Sequence, residues 1–384
     1  MSTVSISRCS TYDAAELQES LERAMAPLGT MSAFVAPGQK VLLKVNLLAK
    51  AEPERAVTTH PELVRALIRS ARAAGGIVTV GDSPGGPNTA GMVRGIFRTS
   101  GIATVCAEED VPLLLFDDDV VRTTGVAHSL YGSFTLGRAV VETDVLISVP
   151  KFKTHGFMMF TGAVKNLFGC VPGLEKAQYH LKVPEREDFG AMLVDLMQAC
   201  KPALAVMDAV VGMEGDGPAG GSPREIGALI ASADCVALDV VASAMAGFDP
   251  MEVYTNAAAA RQGMGPRSAE EVQVVGEDWH RLAPEAFALP ARDVGRRMPP
   301  WLKTTLRGWT LARPVLESAA GCTKCGTCAE SCPVDAIVVG SNGPTFDRDT
   351  CIRCYCCQEL CPPQVIGLKT PPMARLMTRA RRSR

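Results

Sequence analysis

Residues 41–86 read VLLKVNLLAKAEPERAVTTHPELVRALIRSARAAGGIVTVGDSPGG. The apolar run VLLKVNLLA (41–49) has the length and character of a buried strand. PELVRALIRSARAAG (61–75) then carries leucine, alanine and isoleucine on one helical face and arginines on the other. Thr59 is a candidate cap, proline opens the first turn, and Gly75–Gly76 closes the helix. IVTVGD begins a second strand that runs into the turn SPGG. A strand, a helix and a second strand in this order form the repeating unit of a parallel sheet covered by helices.

The same alternation extends outward. VPLLLFDDD (111–119), TDVLISVPK (143–151) and ALAVMDAVVG (203–212) continue the strand series, and GALIAS (227–232) and VQVVG (272–276) add two further candidates. The expected class is α/β over residues 1–278, a mostly parallel sheet with helices on both faces. Residues 279–320 change character: five prolines break the pattern, and basic residues crowd between Arg292 and Arg313 against the single acid Asp293. This stretch reads as a linker, with one short helix around WLKTTLRGW. Residues 321–370 are set apart as a small cysteine-rich module of expected α+β class, and residues 371–384 as a basic tail.

Composition narrows the function. The 384 residues are 47% hydrophobic and 21% charged, which excludes a wholly disordered chain. Net charge is −2 and aromatics are only 5%, which argues against nucleic acid as a partner. The tail PPMARLMTRARRSR holds five arginines and no acid, so the rest of the chain is acidic. The tail is either a solvated end or a contact for an acidic partner or a membrane surface. No secretory signal and no apolar run of membrane-spanning length is legible, so the expected location is cytoplasmic. Thiols stay reduced there, and 14 cysteines then point to metal binding rather than disulfides.

Nine of those cysteines lie between Cys322 and Cys361. CTKCGTCAESCP (322–333) and CIRCYCCQELCP (351–362) repeat the same pattern 29 residues apart. Cys322, Cys325, Cys328 and Cys332 recur as Cys351, Cys354, Cys357 and Cys361, and Pro333 recurs as Pro362. The spacing C-x2-C-x2-C-x3-C-P belongs to two-cluster bacterial ferredoxins, in which the fourth cysteine of each run ligates the other cluster. One 4Fe–4S cluster is therefore expected on Cys322, Cys325, Cys328 and Cys361. The other is expected on Cys351, Cys354, Cys357 and Cys332. Paired zinc sites use C-x2-C twice but have no use for the third cysteine, the proline or the repeat. Cys356 has no counterpart in the first run, where Thr327 stands, and is either a buried small residue or a spare thiol. Cys9, Cys106, Cys170, Cys200 and Cys235 read as packed thiols.

In an open α/β sheet, ligands sit beyond the carboxyl ends of the strands. The segments placed there are KVN (44–46), TTHP (58–61), GDSPGG (81–86), PKFKTHG (150–156), TGAVKNLFGCVPG (161–173) and MEGDGPAGGSP (213–223). Lys153, His155 and Lys165 are the catalytic candidates. Asn46, His60, Asp82 and Asp208 are candidates for binding a cofactor in the same cleft. Each has a plainer reading: His60 as a helix brace, Asp82 as a turn cap, and Lys153 and Lys165 as solvated lysines. His128 and His280 receive no role. GDGPAG (215–220) spells a dinucleotide fingerprint, but its prolines leave no helix opening at the third glycine.

On these motifs, and over roughly residues 40–245, the chain resembles the domain of unknown function 362 family, many of whose members carry a two-cluster ferredoxin module. The resemblance implies an iron–sulfur protein and assigns no catalytic residue. The order His155, Lys165, Pro172–Gly173 also has a slighter similarity to the nickel-pincer lactate racemase group.

The resulting expectation is an iron–sulfur oxidoreductase. Electrons pass through two 4Fe–4S clusters to or from a small-molecule substrate, or a second cofactor (a flavin or a metal), in the α/β cleft. A redox partner protein supplies or removes them. Lys153 and Lys165 would hold an anionic or carbonyl-bearing substrate, and His155 would move the accompanying proton because it titrates near neutrality. The alternatives are an electron-transfer or metallocofactor-assembly subunit, and an isomerase or transferase with structural clusters.

Overall fold

The computed structural model describes residues 1–86, 88–124, 131–290 and 309–372. His128, most of the basic stretch and of WLKTTLRGW, and nearly all of the arginine tail lie outside the described residues. Sixteen strands are described: β1 (Thr3–Arg8), β2 (Lys40–Lys44), β3 (Ile77–Asp82), β4 (Leu113–Leu115), β5 (Val120–Thr124), β6 (Ser133–Gly137), β7 (Val145–Ser148), β8 (Lys151–His155), β9 (Met159–Thr161), β10 (Leu204–Glu214), β11 (Ser222–Ser232), β12 (Gln273–Gly276), β13 (Arg313–Leu316), β14 (Ile337–Gly340), β15 (Gly343–Phe346) and β16 (Ile366–Lys369).

The large sheet runs β12-β1-β11-β10-β7-β2-β3-β4, with β8 and β9 branching from β10. Pairings from β10 through β7, β2 and β3 to β4 are parallel, and β11 is antiparallel to both β10 and β1. The fold is the expected α/β class, a mostly parallel mixed sheet followed by a small strand-and-helix region. Alternate residues of one strand enter opposite cores. Val41 and Leu43 pack with the helices Ala14–Met25 and Pro61–Ala73, whereas Leu42 packs with Arg186–Cys200 and Cys235–Met245 on the other side. This two-sided burial explains why the strands read as unbroken apolar runs.

The helix Pro61–Ala73 shows how local chemistry agrees with the layers. Leu63, Val64, Leu67 and Ile68 are buried, while Arg65 and Arg69 reach Glu109. Its cap is His60 rather than Thr59: the imidazole Nδ1 accepts the Glu62 amide. Thr59 instead bridges two strand ends, donating to the Val149 carbonyl and accepting from the Asn46 amide. The loop spelled GDGPAG joins β10 to antiparallel β11 and opens no helix. The segment PKFKTHG differs more from its reading as a strand-end loop. Its core is β8, all five residues buried, in a hairpin with β9. Four polar side chains, Lys151, Lys153, Thr154 and His155, stay on one strand because surrounding elements contact each of them.

The cysteine module is built twice. The helical turns Thr327–Glu330 and Cys356–Glu359 stand 29 residues apart, as do β14 and β16. Even left-handed residues recur in pairs: Lys324 and Arg353 (φ 55° and 61°), Gly326 and Tyr355 (83° and 66°), Asp335 and Gln364 (51° and 52°). β13, which falls inside the stretch read as linker, pairs with β16.

Candidate functional site

The carboxyl ends of β2 and β3 deliver the first groups. Lys44 closes β2 and pairs with Asp82, the last residue of β3, at 2.8 Å with both side chains buried. Asp82 also accepts the Leu47 and Ser83 amides. Burial raises the Asp82 carboxyl, and Lys44 opposes the rise. The glycine-rich segment crosses directly over this pair: a Cβ on Gly169 would strike Asp82 Oδ1 and Lys44 Nζ. A short helix, Ala163–Asn166, carries Lys165 into the same space. Its first amides, on Ala163 and Val164, donate to buried Asp239, which touches the place a Gly162 side chain would occupy. Gly162 and Gly169 are thus contact points for carboxylates.

These groups line a cavity of about 90 Å3, below the range of roughly 300–1,000 Å3 usual for drug-sized ligands. Asn46, Asp82, His155 and Lys165 all border it, so four of the seven predicted site residues converge. Lys153 lies behind, its Nζ donating to the Val57 carbonyl at 2.7 Å. His60 and Asp208 do not line the cavity. They form a separate buried network with Lys151 and Tyr12: Lys151 Nζ is 2.8 Å from Asp208, the Tyr12 hydroxyl is 2.8 Å from Asp208, and Tyr12 stacks on His60 at 3.5 Å. That network is internally satisfied and acts as a brace for β8 and the helix at His60.

The opposite wall belongs to the cysteine module. Ser331, Cys356, Glu359 and Leu360 border the cavity. His155 Nδ1 accepts the Phe157 and Met158 amides, which places its proton on Nε2. Nε2 points toward Glu359 Oε1 at 3.3 Å, yet the alignment is too poor for a hydrogen bond. Thr161 Oγ1 and His180 Nδ1, both buried, also lack a partner among the described residues.

Electrostatics corrects one role. Burial, reinforced by Lys165 and Lys153, pushes His155 well below the usual histidine range. It is therefore a neutral N–H donor at pH 7, not a group titrating near neutrality. His180 falls to about 3 for the same leading reason. Lys153 and Lys165 are also lowered by burial, partly offset by Glu359. Burial raises the Glu359 carboxyl to about 7 against the pull of Lys165 and Lys153. Lys176 falls to about 8 and donates to carbonyls of Ser83 and Val171. Buried Lys44, Lys153 and Lys176 and half-buried Lys165 thus share few carboxylates, and an unbalanced buried charge is costly.

Glu359, Lys176, Asp239 and Thr161 escaped the sequence reading. The first could have been suspected from the repeat's asymmetry: Gly326 and Thr327 become Tyr355 and Cys356, bulkier residues that suit a docked loop. The others carry no such mark.

The repeat cysteines lie in two neighbouring groups. Cys322, Cys325, Cys328 and Cys361 border one small cavity together with Gly326. In the second set, burial raises Cys332, with Cys354 and Cys351 adding to the effect. Burial likewise raises Cys357, with Cys354, Cys351 and Cys332 next to it. Thiolate donors in two groups of four fit 4Fe–4S clusters. Among the described residues, no three His, Cys, Asp or Glu side chains converge as they would on a single ion. Cys9, Cys106, Cys170, Cys200 and Cys235 are all buried in the α/β unit.

Comparison with known proteins agrees with this division. Residues 41–244 match the model of a domain of unknown function, DUF362, and residues 314–363 match a 4Fe–4S dicluster domain. A thylakoid-associated protein of Synechocystis sp. is 37% identical over 299 residues, covering 75% of this chain and 91% of that protein. Among solved structures, the lactate racemase apoprotein of Thermoanaerobacterium thermosaccharolyticum aligns with a TM-score of 0.38 and 11% identity, over 61% of this chain and 55% of that one. A Thermotoga maritima protein aligns with a TM-score of 0.38 and 14% identity, over 71% and 62%. No helix among the described residues is long and apolar enough to cross a membrane.

Proposed function

The chain belongs to the domain of unknown function 362 family and ends in a 4Fe–4S dicluster domain, and from that premise we propose an iron–sulfur reductase acting on a small anionic substrate. The observation that carries this reading is the shared cavity. The cysteine module does not hang from the α/β unit as a separate carrier: its residues Ser331, Cys356 and Glu359 close a space whose other wall holds Lys44, Lys165 and His155.

The bound clusters would supply electrons one at a time. The chain's own groups do the rest. Lys165 has no hydrogen-bond partner among the described residues and receives the substrate's negative charge. The Lys44–Asp82 pair, held by the Leu47 and Ser83 amides, fixes the floor of the site. His155 Nε2–H donates to the substrate from a ring whose orientation the Phe157 and Met158 amides set. The wall of the module excludes water, which strengthens each of these contacts. The small cavity favours a substrate there over a flavin.

In this reading the protein works in the cytoplasm, where thiols are kept reduced for iron, and meets a redox partner protein. The test is anaerobic reoxidation of the dithionite-reduced, cluster-loaded chain by a panel of small oxo-carboxylates and inorganic oxyanions, followed by the visible cluster absorption. Reoxidation by at least one, lost in Lys165→Met at unchanged iron content, is expected. Reoxidation by none would remove the reductase reading.

A further inference from the structure

The two halves of the repeat share a backbone but not an environment. In the first half, Thr323, Lys324 and Cys325 are exposed. Their counterparts Ile352 and Cys354 are half-buried, and Arg353 is buried. At the matching left-handed position, Gly326 faces Tyr355, which is only 2% exposed and enters the main core of the α/β unit. The Tyr355 hydroxyl donates to the Ala312 carbonyl and receives Arg186 Nη2. Gln358, one residue after Cys357, donates to the Asp216 carbonyl. Of the module's cavity residues, Ser331 and Cys356 adjoin Cys332 and Cys357, while Leu360 alone adjoins a cysteine of the other set, Cys361.

We infer that the two cluster positions are ordered. The one on Cys332, Cys351, Cys354 and Cys357 is the inner position, beside the cavity. The one on Cys322, Cys325, Cys328 and Cys361 is the outer position, and its loop Thr323–Gly326 is the docking face for a one-electron carrier protein. In the reducing direction, a docked carrier would give up one electron, which the outer and then the inner position would accept in turn. A second docking repeats the step. No bond is made or broken on the way. Only the inner end of this order rests on the proposed reductase reading; the outer end rests on exposure alone.

Physics favours the assignment. Electron exchange between proteins needs close approach, and Cys325 is the one repeat cysteine that is exposed. The second loop is more covered: Arg353 and Tyr355 are buried, and Tyr355 and Gln358 bond to the α/β unit.

The test uses the full, anaerobically loaded chain and electron paramagnetic resonance, with a water-soluble dysprosium chelate as relaxing probe. Cys354→Ser should leave mainly the outer signal, and dysprosium should raise its saturation power several-fold. Cys325→Ser should leave mainly the inner signal, which should hardly respond. Equal responses, or the reverse order, would overturn the inference. Should either substitution empty both positions, Lys165→Met with all eight ligands intact serves instead: it should lower the reduction potential of one signal only, and equal shifts in both would overturn the order. A chain that reduced no small anion would defeat the reductase reading and leave this result standing.

Discussion

Glu359 Oε1 of the cysteine module lies 3.3 Å from His155 Nε2 of the α/β sheet. The two residues are more than 200 positions apart in the chain, and the module reaches the cavity through this approach. Because His155 is neutral, the contact is not an ion pair in the resting protein. It marks the place where the module and the sheet meet at the cavity.

Lys165→Met should abolish anion binding without unfolding the chain. A hydrogen bond to a charged group contributes about 1.5–3 kcal/mol, so affinity for an anionic ligand should fall at least about tenfold. Calorimetric titration alongside iron analysis checks this; parallel loss of iron would make Lys165 structural.

The Lys151–Asp208 pair should behave as a brace. Both side chains are fully buried, and removing one partner leaves an uncompensated charge that costs about 3–5 kcal/mol. Lys151→Met alone should lower the denaturation midpoint sharply. Lys151→Met with Asp208→Leu should recover part of the loss, and equal midpoints for the single and double variants would contradict the pairing.

Asp239 should make stability fall as pH rises. Burial raises its carboxyl from 3.8 to about 7. The folded state therefore holds a proton that the unfolded state has released between those values. The favourable contribution is complete below about 4 and is lost as pH climbs through about 7. Asp239→Asn should flatten the stability profile over that window, measured by urea unfolding at several pH values; an unchanged slope would remove Asp239 as its source.

Tyr355→Ala should undock the module while leaving its iron in place. Truncating a buried aromatic costs about 3–5 kcal/mol, and here the loss falls between the two units. Proteolysis near residue 312 should accelerate, and the inner cluster signal should become as accessible to dysprosium as the outer one. Iron loss in proportion to proteolysis would show that docking and cluster binding are one event.

Cluster content itself is the simplest measurement. Anaerobic protein should carry about eight iron and eight sulfide per chain. Cys328→Ala should lower both by about half. A zinc-only protein would overturn the ligand assignment.

Much of this protein was legible along the chain because the relevant signals are local. Strand β2 and the helix Pro61–Ala73 announce themselves by apolar periodicity, and the cysteines by spacing that iron chemistry demands. The strand-end rule also located Asn46, Asp82, His155 and Lys165. It failed to separate them from His60 and Asp208, because sharing a sheet edge does not mean sharing a pocket. Tyr12 had no motif, yet its hydroxyl and ring bind Asp208, Lys151 and His60 into a closed network.

The sequence by itself determined the α/β class and the duplicated cysteine module, since each depends on residues close in the chain or on exact repetition. Only the tertiary structure decided that the module closes the cavity, that His155 is neutral, and that the two halves of the repeat face different surroundings. These follow from burial and from charges brought together across hundreds of residues, where proximity is set by packing and leaves no periodic trace in the order of amino acids.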